Sequence, residues 1–77
     1  MIASEQIKQY IESGVECEHV EVAGDGHHFE AVVVSPAFRG KSRIQQHQLV
    51  YSALGDRMRE EIHALSMRTL TPEEWGK

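Results

Sequence analysis

The chain predicts an α+β fold: a two-layer sandwich of a small three-stranded sheet with helices on one face, in the order αββααβ. Three observations predict it. Apolar residues recur at helical spacing near the N-terminus and again after residue 43. Of three strand-forming runs, the first and last alternate with the period of two that a half-buried strand needs, and the middle one carries Val32-Val33-Val34. A Gly24-Asp25-Gly26 reversal separates the first two of those runs.

Ser4 is the expected N-cap of the first helix, and Ile7, Tyr10 and Ile11 form one apolar stripe until Gly14 ends it. From Cys17 to Val22 the pattern alternates, with Val20 and Val22 on one face and Cys17, His19 and Glu21 on the other. Gly24-Asp25-Gly26 tolerates positive φ, so the chain reverses there and returns as a second strand from Phe29 to Ser35. His27 and His28 then fall in the hairpin loop. Pro36 stops the strand, and a connector containing Gly40 leads to Ser42, which with Gln45 makes a capping box for a helix starting at Arg43. Ile44, Tyr51 and Leu54 are its expected inward face, broadened by Leu49, Val50 and Ala53. After Gly55, Asp56 is placed to cap a short helix through Glu61 that carries Met58 inward. A third strand runs from Ile62 to about Thr69, with His63, Leu65 and Met67 on one face; its neighbour in the sheet is not fixed by spacing. Thr71-Pro72-Glu73-Glu74 opens a terminal turn that seats Trp75.

Length and composition bound the function. The 77 residues make one domain, which buries only about 60 to 65% of its unfolded surface and leaves little room for a deep substrate cavity. No run is long enough to span a bilayer, and the first residues lack the pattern of a secretory or transit peptide, so a cytoplasmic protein with no membrane contact is expected. Cys17 is the single cysteine, so no internal disulfide forms and any thiolate-rich site borrows sulfur from another molecule. A formal charge of −4 opposes non-specific attraction to phosphate.

Five histidines justify a search for a metal site, because neutral imidazole ligates iron, zinc and copper. No HExxH or CxxC pair occurs, and no Ser/His/Asp arrangement is legible. Each histidine has an ordinary structural reading. His63 suits a satisfied boundary position, His27 and His28 a solvated loop, and His19 an outward strand face. His47 suits a half-buried helix position bonded to a carbonyl. Cys17 stands between Glu16 and Glu18, which raise a thiol pKa and argue against a nucleophile. Arg39, Lys41 and Arg43 around Gly40 form a basic patch able to touch phosphate at the start of the following helix.

Four motifs in order carry a resemblance. Phe38-x-Gly40-Lys41, Gln46-His47-Gln48-Leu49-Val50-Tyr51, Ile62-His63-Ala64-Leu65-Ser66 and Leu70-Thr71-Pro72-Glu73-Glu74-Trp75 together resemble the BolA family, nearest its IbaG-like bacterial branch. The likeness runs from about Glu5 to Trp75, nearly the whole chain. It implies a fold similar to class II KH domains and a single BolA-like domain over residues 1–77. It also implies a non-enzymatic partner of a monothiol glutaredoxin, the pair bridging a 2Fe-2S cluster in iron-sulfur trafficking or in iron and stress regulation. In that arrangement the glutaredoxin and its glutathione supply thiolates, His63 supplies one imidazole, and His28 or its neighbour His27 supplies the second. No cluster is expected in the isolated chain. The chain departs from the family pattern in its short loop with two adjacent histidines and no cysteine, and in Gln46, where arginine is common. Mixed His and Cys ligation of this kind raises a cluster's reduction potential, and acid weakens it by protonating imidazole. The alternative is a nucleic-acid-binding regulator acting on DNA through Arg39, Lys41 and Arg43, against which stand the acidic total and the lack of a Gly-x-x-Gly clamp. Self-association of the free protein is left open.

Overall fold

The computed structural model describes residues 2–62 and 64–76. Helix α1 spans Ser4–Gly14, strand β1 His19–Gly24 and strand β2 His28–Val34; a 3-10 turn over Pro36–Phe38 follows. Helices α2 and α3 span Arg43–Leu54 and Arg57–Glu60, strand β3 spans Ala64–Leu70, and the α4 turn spans Pro72–Trp75. The expected α+β order is thus present. β2 lies at the centre of the sheet, antiparallel to β1 and parallel to β3, which supplies the neighbour that spacing left undetermined. Both expected start points for β1 and β3 move later by two residues, and β2 starts one residue earlier, at His28. His63, expected at the head of β3, lies outside the described residues.

Local chemistry sets the helix ends. Ser42 Oγ accepts from Gln45 N–H at 3.2 Å while Gln45 Oε1 accepts from Ser42 N–H at 2.9 Å, the reciprocal box the sequence announced. Thr71 and Glu74 repeat it at α4. At α1 the N-cap is Ala3 rather than Ser4: Gln6 Oε1 accepts from Ala3 N–H at 2.9 Å, so the third helical residue supplies the cap that Ala3 cannot. Asp56 precedes α3 without a side-chain cap bond.

The core forms between the sheet and the two long helices. Ile7 and Ile11 of α1 meet Val20 of β1, Phe29, Ala31 and Val33 of β2, and Val50 and Leu54 of α2, with Phe38 and Ile62 closing the ends. The inward face of α2 differs from expectation. Gln46, Val50 and Leu54 are buried there, whereas Ile44 is 70% exposed and Tyr51 42% exposed. These buried positions recur every four residues; Val50 and Leu54 belong to the expected face, with Leu49 and Ala53 packed against the core beside them, but the first buried position is polar, and the apolar pattern placed Ile44 and Tyr51 inward in error.

The opposite sheet face carries His19, Val34 and Leu70 in one row, because His19 pairs with Val34 and Val34 with Leu70. Val34 is nonetheless 0% exposed. The α4 turn brings Trp75 back onto this row, where its ring stacks on His19 with centroids 4.7 Å apart and planes 18° apart. His19 Nε2 also meets Glu21 Oε2 at 2.6 Å. His19 thus keeps its expected outward position, with its side chain 37% exposed, and in addition seats Trp75. Trp75→Ala removes this stack and the apolar area it buries, and should lower stability by about 1–2 kcal/mol in a urea titration.

Candidate metal-ligand and partner site

The candidate site is built at the turn between β1 and β2. Gly26 adopts φ 98°, which a side chain resists, and this lets the chain reverse within a few residues. Asp25 Oδ1 accepts from His27 N–H at 2.9 Å and from His28 N–H at 2.8 Å. Those backbone bonds, His28 first, hold the Asp25 carboxyl below its usual range. Asp25 N–H in turn donates to His28 O at 3.2 Å. The side chains of His27 and His28 are exposed.

Sheet pairing brings this turn to the start of β3. His28 pairs with Ala64, and Ala64 N–H donates to His27 O at 3.1 Å. Ala64 is the residue after His63, so the two loop histidines are joined through backbone to the stretch that carries the third candidate. His28 is not a loop residue, as expected, but the first residue of β2. The donor chemistry suits iron: imidazoles, exposed on this side, with backbone fixed by hydrogen bonds. Among the described residues no three His, Cys, Asp or Glu side chains gather into a metal-binding group.

The remaining candidates separate. Arg39 makes a bidentate pair with Glu73, Nε to Oε1 at 2.9 Å and Nη2 to Oε2 at 2.6 Å, which ties the connector to α4. Lys41 and Arg43 are exposed, and Lys41 lines an open groove of about 330 Å³ with Gln45, Gln48, Leu49 and Ser52. A second groove of about 560 Å³ lies between α1 and α2, where Arg57 sits 3.8 Å over the Tyr10 ring; among the described residues no candidate lines it. His47 is half-buried as expected, but its Nε2 has no hydrogen-bond partner among the described residues, so the expected carbonyl bond is absent there. Burial pushes the Cys17 thiol up to about 11, with Glu12 adding to it; the expected direction holds, but through burial and Glu12 rather than through Glu16 and Glu18.

The Arg39 pair predicts a pH effect. Hydrogen bonding to Arg39 lowers the Glu73 carboxyl pKa, so the tie is intact above the ordinary carboxylate range and is lost as pH falls through the lowered value. In thermal melts from roughly pH 5 to 3, Glu73→Gln should start lower than the unaltered chain and lose less on acidification.

Gln46 was missed as a structural residue. It is buried, its Nε2 donates to Phe38 O and Lys41 O at 3.1 Å each, and its Oε1 accepts from Thr69 Oγ1 at 2.6 Å. The signal available was a long amide four residues before buried Val50.

Comparison with known proteins assigns the fold and family. The chain is 34% identical over 73 residues to the "Acid stress protein IbaG" of Escherichia coli (strain K12), covering 94% of this chain and 87% of that protein. It is 39% identical over 57 residues to the "DNA-binding transcriptional regulator BolA" of Haemophilus influenzae, covering 74% of this chain and 55% of that protein. The structure of a BolA protein homologue from Coxiella burnetii superposes with a TM-score of 0.91 at 49% identity, covering all (100%) of both chains. A family model described as BolA-like protein matches residues 3–74. With that match, and with helix, hairpin, helices and strand in the same order, the chain belongs to the BolA family, in its IbaG-like branch.

Proposed function

We propose that this BolA-family chain is a non-enzymatic adaptor that docks a monothiol glutaredoxin and shares a 2Fe-2S cluster with it, in iron-sulfur trafficking or in iron and stress regulation. The observation that carries the reading is the pairing of His28, and of the His27 carbonyl, with Ala64, the residue that follows His63. Two exposed imidazoles at one sheet end are donors that a docked molecule can reach. His63 with His28 or His27 would give this side of the cluster, and the glutaredoxin with its glutathione would give the thiolates that a chain with one cysteine of raised pKa does not provide. The cluster, when bound, supplies one-electron chemistry; the chain's part is to hold neutral imidazole at its rim.

Anaerobic reconstitution of the chain, with and without a monothiol glutaredoxin, tests the reading. A visible spectrum distinct from that of glutaredoxin alone, formed only in the mixture, is the expected result; a spectrum equal to that of glutaredoxin alone overturns it. The second reading, a DNA-binding regulator, is favoured by the name of the Haemophilus influenzae relative and by exposed Lys41 and Arg43. Glu73 occupies Arg39, which leaves two of the three basic candidates for phosphate. Salt-dependent binding to short duplex DNA would support this alternative, and its absence removes it.

A further inference from the structure

We propose that Asp25 is a positioning residue for the ligating histidine, fixing its backbone so that the imidazole meets the cluster without a search. The inference rests on the reading that a loop histidine and His63 act together on one cluster. One carboxylate oxygen receives both consecutive N–H groups, from His27 at 2.9 Å and His28 at 2.8 Å. This fixes the peptide planes leading into the two residues, and so the direction of each Cα–Cβ bond.

The far side of the same units is held as well. Asp25 N–H reaches His28 O, and Ala64 N–H reaches His27 O. At Gly24 an added Cβ would run into the His28 carbonyl oxygen and the Phe29 side chain, so the β1 end lies flat against this segment. In these bonds among the described residues, Asp25 contributes a side chain and the other members are backbone. It is also exposed, so the apolar core does not depend on it. A ligand side chain must be held to a fraction of an ångström for metal bonding without an entropic penalty, and such placement comes from neighbours that do not themselves touch the metal.

Three substitutions separate geometry from charge. Asp25→Asn keeps an acceptor oxygen at the same reach and loses the charge. Asp25→Glu keeps the charge and moves the oxygens by one methylene. Asp25→Ala loses both. In the free chain, amide exchange of His27 and His28 should accelerate at least about tenfold in Asp25→Ala and Asp25→Glu and stay within about twofold of the original in Asp25→Asn. In the reconstituted complex with monothiol glutaredoxin, the first two should lose the cluster to a chelator about tenfold faster, with altered visible circular dichroism, while Asp25→Asn retains both properties. Far-UV circular dichroism establishes that each chain is folded at the temperature used.

Original exchange rates and cluster lifetimes in Asp25→Ala overturn the proposal. So does an Asp25→Glu chain that behaves like the original while Asp25→Asn fails, since the role would then be one of charge. If the unaltered complex shows a spectrum that His63→Ala changes, and Asp25→Ala does not alter it, the proposal falls alone. If the unaltered complex shows no histidine-dependent spectrum, the cluster reading falls and takes the proposal with it.

Discussion

Replacing His63 with alanine should abolish the altered visible spectrum of the mixed complex with glutaredoxin. The magnitude is a loss rather than a weakening, because His63 would supply one of the two imidazoles and the chain's remaining donor would not complete a site with two histidines. Folding is not expected to limit the result. The start of β3 is held by backbone bonds, Ala64 N–H to His27 O among them, that a side-chain truncation leaves in place. His47→Ala is the matched control: it removes the same ring from α2, away from the turn, and should leave the spectrum unchanged. Double replacement of His27 and His28 should match the loss at His63, and the two single replacements then identify the second donor. A His63→Ala complex with the original spectrum would defeat the assignment.

What the sequence disclosed follows from the range over which each interaction acts. The caps at Ser42 and Thr71 were legible because both partners of each box lie three residues apart. The order of elements was legible because the periods of helix and strand differ. The partner of β3 was not, since a parallel pairing depends on a crossover through α2 and α3 whose destination leaves no local mark. The stack on His19 was missed for a similar reason: its neighbours along the chain describe the outward strand position, and the tryptophan that covers part of it is delivered from the C-terminal turn. At the site, the three histidines were found as residue types, and their candidacy came from the family resemblance. Their relation to Ala64 came from strand register, and the role of Asp25 from two amide bonds that composition cannot show.

Gln46→Leu should cost about 2–4 kcal/mol in urea denaturation, a large share of the stability of so small a domain. Leucine fits the volume and the burial but leaves the Thr69 hydroxyl and the Lys41 carbonyl without their Gln46 partner, while the Phe38 carbonyl keeps the Lys41 N–H at 3.2 Å, and Thr69 is itself buried. The desolvation of an unpaired group, not the lost bond alone, sets the size of the effect. Thr69→Val in the same chain removes one of the stranded groups, so the double variant should recover part of the loss, with a coupling of about 1–2 kcal/mol. Gln46→Arg discriminates further. Guanidinium offers only donors, so it serves the Phe38 and Lys41 carbonyls but gives the Thr69 hydroxyl nothing to donate to. It should fall between the unaltered chain and Gln46→Leu. The amide joins three elements at one point: the 3-10 turn, α2 and β3. Loss of that junction should appear first as faster amide exchange through residues 38–41, the connector that carries Arg39 and Lys41, and additive rather than coupled effects of Gln46→Leu and Thr69→Val would refute it.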